Sequence, residues 1–227
     1  MKDQLSGPVL APKTGKAKKL MVLLHGYGSD GNDLIGLARY WQPSLPEMLF
    51  VAPNGPENCP MNPAGYQWFD LDLDREISRL NGSKKARPVL ERFLEQLWEQ
   101  TGFDASDTFL VGFSQGAMMA LDVGLRLEKQ PLGIISFSGG LIGESGWESS
   151  IKIKPPVCLV HGEADDVVPV SLSIESKTRL EKIGIKTAMQ IEPGLGHTIS
   201  VEGLGFALAF MRELFLEREA VKSPGGV

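Results

Sequence analysis

The chain has 227 residues with a formal net charge of −5, and 42% of its residues are hydrophobic while 22% are charged. This length and composition suit one domain with a sizeable core and exclude a disordered chain. The net negative charge does not favour a nucleic-acid partner. Because the sequence has no run of about 20 apolar residues, we expect no stable insertion into a membrane. The first residues lack the apolar stretch of a secretory signal, which predicts a cytoplasmic location.

Short apolar runs alternate along the chain with longer segments of helical period. Continuous apolar runs favour strands buried on both faces, as in a parallel sheet. The predicted strands are 20–24, 48–52, 108–111, 133–137, 157–160 and 187–191. The predicted helices, in which apolar residues recur every three or four positions, are 87–100, 117–129, 174–183 and 201–217. This alternation predicts a single α/β domain, 1–227, with a mostly parallel central sheet and helices on both faces.

Four segments do not follow the alternation. Residues 1–17 are predicted to be irregular, and residues 219–227 to form a frayed tail. Residues 54–81 are rich in Pro, Gly and Asn and are predicted to form a long loop, with 138–156 as a second irregular stretch. Because 54–81 also holds aromatic residues, we expect it to be a packed, functional loop.

One pentapeptide has the form that a nucleophilic serine requires. The sequence Gly112-Phe113-Ser114-Gln115-Gly116 directly follows a predicted strand and precedes a helical run. A sharp strand-to-helix turn exposes the serine hydroxyl, and the flanking glycines permit the close backbone approach that this turn needs. Ser114 is therefore the predicted nucleophile.

A serine nucleophile needs a base, and the base needs an acid to orient it. In α/β-hydrolases these follow in the chain order serine, acid, histidine. The chain has three histidines. Only His197 lies beyond the acidic loop after strand 157–160, so it is the predicted base. That loop holds Glu163, Asp165 and Asp166, and spacing does not separate Asp165 from Asp166 as the acid.

Two backbone N–H groups are candidates for an oxyanion hole. One is that of Gln115, the residue after the nucleophile. The other is that of Tyr27, in the glycine-rich loop after the first predicted strand. Adjacent glycines allow this loop to approach a ligand closely.

The same loop matches a different fingerprint. Gly-x-Gly-x-x-Gly, from Gly26 to Gly31, is the dinucleotide-binding pattern between a strand and a helix. That pattern also needs an acidic residue about 20 positions on, at the end of the second strand. The second strand ends instead at Ala52-Pro53-Asn54. Dinucleotide binding would also leave the serine, acid and histidine pattern unexplained, so it is the weaker alternative.

Taken together, the motifs resemble the phospholipase/carboxylesterase family of small α/β-hydrolases, which includes the acyl-protein thioesterases. The resemblance rests on His25-Gly26-Tyr27-Gly28, Trp68-Phe69-Asp70, Gly112-Phe113-Ser114-Gln115-Gly116, His161-Gly162-Glu163-Ala164-Asp165 and Gly196-His197. It implies the α/β-hydrolase fold, Asp165 as the acid, and Trp68 and Phe69 beside the acyl pocket. It also implies that no metal or organic cofactor is needed, and that the protein is cytosolic and can form a homodimer.

The sequence thus predicts a serine carboxylesterase that hydrolyses short- to medium-chain esters through an acyl-enzyme. The expected partner is a small-molecule ester or acyl substrate. An acyl-protein thioesterase or a lysophospholipase would use the same three residues and is the main alternative. A non-catalytic binding module of the same fold is less favoured.

Overall fold

The six apolar runs all form strands in the computed structural model, which describes residues 5–143, 146–147 and 151–222. The strands are β1 (Val9–Leu10), β2 (Lys19–Leu24), β3 (Met48–Val51), β4 (Glu57–Cys59), β5 (Asn62–Gln67), β6 (Thr108–Phe113), β7 (Gly133–Phe137), β8 (Val157–Gly162) and β9 (Thr187–Glu192). The helices are α1 (Gly31–Trp41), α2 (Arg75–Thr101), α3 (Gln115–Gly124), α4 (Ser171–Lys182) and α5 (Val201–Lys222), with a 3₁₀ turn at Ala105–Asp107.

In the described part of the chain, seven strands form one sheet in the order β1-β3-β2-β6-β7-β8-β9. All neighbouring strands are parallel except β1, which is antiparallel to β3. Successive side chains of a strand point to opposite faces. In β2, Leu20 and Val22 pack in the layer that contains α2, α3 and α4. Met21 and Leu23 pack on the other face with α1 and α5, which confirms helices on both sides of a mostly parallel sheet.

The prediction of one long loop over residues 54–81 is wrong. This segment contains the β4–β5 hairpin and the first turns of α2. Helix α2 begins at Arg75, well before its predicted start, because the Asp74 side chain accepts the N–H of Ile77 and caps the helix. Gly82 allows the helix to pass close to the preceding segment, since a Cβ there would lie 2.5 Å from the Cβ of Phe69.

Several element ends also differ from the prediction. Residues 1–17 are not wholly irregular, because β1 pairs with the edge of the sheet. Helix α5 continues to Lys222, so residues 219–222 are helical, while 223–227 and 1–4 lie outside the described residues. Helix α3 ends at Gly124, short of the predicted residue 129. The segment 138–156 has no strand or α-helix among its described residues. Helix α2 has Gly102 as its C-cap, which adopts φ 74°.

The topology places a crevice at the carboxyl ends of the central strands. From β2 the chain proceeds to β3 on one side, and later from β6 to β7, β8 and β9 on the other. In open α/β sheets, ligands bind outside the carboxyl ends of the strands at such a reversal of order. Here β2 and β6 lie side by side, with Leu24 paired to Gly112. The loops that follow these two strands therefore meet at the crevice, and they carry Tyr27 and Ser114.

Candidate active site

Ser114 lies in a strained turn between β6 and α3. Its backbone has φ 54° and ψ −118°, outside the usual region for a residue with a side chain. The flanking glycines make this turn sterically possible. A Cβ at Gly112 would lie 2.3 Å from the carbonyl carbon of Gly116, and one at Gly116 would lie 2.0 Å from the carbonyl oxygen of Leu24. The sequence pattern thus forms the turn that exposes a serine hydroxyl.

The structure brings together three of the predicted site residues. His197, in the loop between β9 and α5, has its Nε2 atom 3.0 Å from the Ser114 hydroxyl oxygen. Its Nδ1 atom lies 2.7 Å from Oδ2 of Asp165, in the loop after β8. An ionised carboxylate only accepts hydrogen bonds, so Nδ1 donates to Asp165 and Nε2 accepts from the hydroxyl. The imidazole is thus held in the tautomer that can accept a proton from Ser114.

Burial and hydrogen bonding separate Asp165 from the other acidic residues of its loop. Asp165 is 8% exposed, whereas Glu163 and Asp166 are exposed. Oδ1 of Asp165 accepts the backbone N–H groups of Val167, at 3.0 Å, and Val168, at 2.8 Å. Burial alone would raise the pKa of Asp165, but the hydrogen bonds from His197 and these two N–H groups hold it below its usual value. Asp165 is therefore an ionised partner for the imidazole.

A second histidine, which the sequence analysis did not identify as part of the site, also faces Asp165. His161 is buried, and its Nε2 atom lies 3.3 Å from Oδ2 of Asp165 and 2.8 Å from the Val168 carbonyl oxygen. Both neighbours are acceptors, so Nε2 carries a proton and donates. Nδ1 of His161 lies 2.7 Å from the Ser173 hydroxyl oxygen. His161 thereby helps to fix the position of the carboxylate.

Hydrogen bonds of His25 hold the loop that carries Tyr27 in place. The Nδ1 atom of His25 lies 2.7 Å from the Gly26 carbonyl oxygen, and its Nε2 accepts the N–H of Gly55 at 2.8 Å. The indole N–H of Trp68 donates to the His25 carbonyl oxygen at 2.9 Å. These contacts tie the loop to the segment that precedes β4 and to the one that follows β5.

The side chain of Gln115 links the nucleophile turn to the Trp68–Phe69 segment. Its Oε1 accepts the N–H of Trp68 at 2.8 Å, and its Nε2 donates to the Phe69 carbonyl oxygen at 2.7 Å. The backbone N–H groups of Gln115 and Tyr27 have no acceptor among the described residues. Both residues line the cleft that contains Ser114, which makes these two groups candidate oxyanion donors.

The cleft has a volume of about 520 Å³. Phe69, Leu71 and Met118 form part of an apolar wall. Trp68, which the sequence analysis places at the substrate, is 1% exposed and lies behind this wall rather than in it. A larger cavity of about 670 Å³ opens at the amino ends of the strands, where Lys19 and Asp107 pair with each other, far from the serine.

The Gly26–Gly31 string lies between β2 and α1 but has a structural role. A pyrophosphate would bind the free N–H groups at the start of the helix. Here the N–H of Gly31 donates to Oδ1 of Asn54 at 2.7 Å, and that of Asp33 donates to the side chain of Asp30 at 3.0 Å. Because the helix start is already capped, dinucleotide binding has no support in the structure.

Three further features of the described residues concern metal ligands, membrane-spanning helices and cysteines. Within residues 5–143, 146–147 and 151–222, no group of three or more His, Cys, Asp or Glu side chains is arranged to hold a metal ion. No helix in this same part of the chain is long and apolar enough to cross a membrane. Cys59 and Cys158 are both buried and form no disulfide.

A model of the family described as phospholipase/carboxylesterase matches residues 5–215 of the chain. The chain belongs to the phospholipase/carboxylesterase family. It is accordingly a serine hydrolase with the α/β-hydrolase fold, as the sequence predicts. The turn around Ser114 and the order of Ser114, Asp165 and His197 along the chain agree with this membership.

Named relatives in this family include esterases and a thioesterase. Esterase YpfH from Escherichia coli is 28% identical over 202 residues, which cover 86% of this chain and 83% of that protein. Acyl-protein thioesterase 1 from Saccharomyces cerevisiae is 30% identical over 188 residues, covering 76% of this chain and 82% of that one. Among solved structures, that of esterase PE8 has a TM-score of 0.91 and 53% identity, covering 93% of this chain and 99% of that one.

The two buried histidines, His25 and His161, are expected to make the stability of this family member depend on pH. Burial is the main cause that lowers the pKa of His25 and of His161, so both are neutral in the folded protein at pH 7. Histidine in an unfolded chain titrates near pH 6.5, so below that pH the unfolded state binds more protons than the folded state. We expect the free energy of unfolding to fall below about pH 6.5, by up to about 1.4 kcal/mol per pH unit for each histidine, until the lowered folded-state pKa is reached.

Urea unfolding at pH 7.5, 6.5 and 5.5 measures this slope. The variants His25→Gln and His161→Gln keep a donor and an acceptor but do not titrate, so each is expected to show a shallower slope than the wild type. An unchanged slope in the double variant would show that other groups cause the pH dependence.

Proposed function

We propose that this protein hydrolyses carboxylic esters with short to medium acyl chains through an acyl-enzyme. The observation that carries the proposal is the continuous hydrogen-bonded line from Ser114 through His197 to Asp165, with separations of 3.0 Å and 2.7 Å. The Ser114 end of this line lies in a cleft with an apolar wall, which suits an acyl chain.

The proposed reaction has two steps. In the first, the hydroxyl oxygen of Ser114 attacks the ester carbonyl carbon while His197 accepts the hydroxyl proton. His197 then returns this proton to the alcohol oxygen as the ester bond breaks and the alcohol leaves. In the second step, His197 takes a proton from water as the water oxygen attacks the acyl-enzyme carbonyl. His197 then returns this proton to the Ser114 oxygen as the acyl–serine bond breaks and the carboxylic acid is released. Asp165 orients the imidazole and stabilises its protonated form in both steps.

Both tetrahedral intermediates carry negative charge on the former carbonyl oxygen. The N–H groups of Gln115 and Tyr27 are the proposed donors to that oxygen. Donors of this kind contribute about 10²- to 10³-fold each to kcat, because they are already oriented before the charge develops. His25 and the Gln115 side chain act as positioning groups that keep the two donors in place.

Hydrolysis of p-nitrophenyl esters from acetate to palmitate tests the proposal. Each buried CH₂ contributes about 0.8 kcal/mol until the cleft is full, so we expect kcat/KM to rise to an optimum at about four to eight acyl carbons and then to fall. An optimum at palmitate would contradict the short- to medium-chain preference. A complete lack of hydrolysis at every length would contradict esterase activity itself.

Thioester hydrolysis is the second candidate function. Relatives that cover most of this chain are named acyl-protein thioesterase 1, and the same serine, histidine and carboxylate would serve a thioester. Lysophospholipid hydrolysis would use them as well. Thioester, lysophospholipid and oxygen-ester substrates compared at equal acyl length distinguish these activities. Location in the cytoplasm and assembly into a homodimer stay predictions.

A further inference from the structure

Two arginines of α2 line the same cleft as Ser114. Arg75 and Arg79 are four residues apart, so their side chains lie on one face of the helix, about one turn from each other. Arg75 is exposed and Arg79 is half-buried. Neither guanidinium has a hydrogen bond or an ion pair with any residue in the described part of the chain. Like charges at this spacing repel each other, so an anion between them would be stabilised.

Arg79 differs from the other arginines in similar surroundings. Among the described residues, the half-buried arginines are Arg79, Arg87 and Arg179. Arg87 donates two hydrogen bonds to the Asp122 carboxylate, and Arg179 pairs with Glu175 at 3.3 Å. Arg79 lacks such a carboxylate. A partly desolvated charge without a counter-ion is unfavourable, and a ligand carboxylate would supply the missing partner.

Three aspartates in or near the cleft, Asp33, Asp70 and Asp74, have other partners. Asp33 lines the cleft and accepts the hydroxyl of Ser29 at 2.7 Å. Asp70 accepts the hydroxyl of Tyr27 at 3.4 Å, and Asp74 caps the start of α2. The positive charge on the cleft wall is thus not neutralised by an ion pair with these carboxylates.

The pKa of Arg79 agrees with the lack of a carboxylate partner. Burial, and after it the charge of Arg75, lowers the pKa of the Arg79 guanidinium, while Glu76 acts in the opposite direction. Glu76 is exposed and forms no ion pair with Arg79 in the described part of the chain. A bound anion would relieve both unfavourable effects on Arg79.

Arg79 also lies between the catalytic cleft and a second pocket. Together with Met118 it lines both the catalytic cleft and an adjoining pocket of about 260 Å³. A substrate bound at Ser114 can therefore extend along the apolar wall and place a charged end at Arg79.

We propose that the catalytic cleft selects esters that carry a carboxylate, bound by Arg79 with Arg75 as a second contact. This inference rests on the proposed ester hydrolysis. A planar guanidinium binds a carboxylate through two parallel hydrogen bonds, and such charge-assisted pairs are among the strongest in proteins. The carboxylate belongs to the acyl part, as in a half-ester of a dicarboxylic acid, or to the alcohol part of the substrate.

Matched esters test the selection. Monoethyl esters of succinate to suberate are compared with ethyl butyrate to ethyl octanoate, in which a methyl group replaces the carboxylate. Butyryloxyacetate, which carries its carboxylate on the alcohol side, is compared with ethyl butyrate. Titration of the released acid at constant pH measures every substrate in the same way. The quantity of interest is the ratio of kcat/KM for the charged ester to that for its neutral match.

The ratio is measured in the wild type, Arg79→Met, Arg79→Lys and Arg92→Met. Arg92 is exposed on the same helix and does not line the cleft, so it is the matched control. We expect the ratio at the best chain length to fall at least about tenfold in Arg79→Met, as for loss of hydrogen bonds to a charged group, and to stay within about twofold in Arg92→Met. Arg79→Lys keeps the charge and is expected to retain part of the ratio. An equal ratio in the wild type and Arg79→Met, with every charged ester, overturns the inference.

Binding of the free dicarboxylates, measured by calorimetry, gives a readout that does not need turnover. We expect the affinity of the wild type to fall at least about tenfold in Arg79→Met and to be retained in Arg92→Met. Such binding without hydrolysis of any ester would overturn the proposed function but support the anion site. Hydrolysis of neutral esters with no Arg79-dependent ratio or binding would overturn the anion site alone.

Discussion

Replacing Ser114 by alanine is expected to lower kcat for p-nitrophenyl butyrate about 10⁶-fold. The hydroxyl of Ser114 is the group that His197 Nε2 contacts in the catalytic cleft, at 3.0 Å, and alanine has no atom to replace it. A residual rate about 10³- to 10⁴-fold above that in water is expected to remain, because the oxyanion donors and the cleft still bind the ester. The measurement is the rate of p-nitrophenolate release at saturating substrate.

A matched serine variant separates loss of the nucleophile from general damage. Ser171, the first residue of α4, is exposed, so Ser171→Ala is expected to keep wild-type activity. A fluorophosphonate probe should label the wild type and Ser171→Ala but not Ser114→Ala, while thermal unfolding shows that all three are folded. Labelling of Ser114→Ala, or activity within about tenfold of the wild type, would contradict the assignment of the nucleophile.

Replacing Asp165 by asparagine is expected to lower kcat about 10⁴-fold. Oδ1 of Asp165 accepts two backbone N–H groups, those of Val167 and Val168. The asparagine oxygen must take this position, which directs its NH₂ group toward Nδ1 of His197. Nδ1 would then accept rather than donate, so Nε2 would carry the proton and could not accept one from Ser114. Steady-state kinetics from pH 6 to pH 9 measure the loss.

The adjacent carboxylate provides the control for this substitution. Asp166 is exposed, so Asp166→Asn makes the same chemical change one residue away without touching the imidazole. We expect its kcat to stay within about twofold of the wild type. If Asp166→Asn were the crippling change and Asp165→Asn harmless, the acid would have been assigned to the wrong residue.

The sequence alone predicts the nucleophile and the base because their signals are local or scarce. Ser114 lies in a five-residue pattern with a glycine at each end. Both glycines are required by close contacts, one within the turn itself and one with the neighbouring strand β2. His197 is identified by chain order among only three histidines. The choice between Asp165 and Asp166 is different, since two adjacent carboxylates have the same chemistry. It depends on which side chain the folded loop turns inward, and spacing carries no information on that.

The errors have physical reasons as well. The apolar period does not predict the start of α2, because its first turns carry mainly polar residues and Gly82. The cap at Asp74 is the sequence signal that marks this start. A prediction from the apolar period alone therefore places Arg75 and Arg79 in a loop and does not reveal their position on the cleft. Trp68, which the resemblance places at the substrate, turns inward instead and donates its indole N–H to the His25 carbonyl oxygen.

The double hydrogen bond of the Gln115 side chain has a consequence for how substrate range can change. It couples the backbone at Trp68 and Phe69 to the same residue whose N–H is a proposed oxyanion donor. Substitutions that displace this part of the wall also displace a proposed oxyanion donor. A change of selectivity there is therefore expected to lower kcat. Met61 and Leu71 line the same cleft outside this link. In an evolving lineage or in directed evolution, new acyl preferences at unchanged rate are therefore more accessible at those two positions than at Phe69.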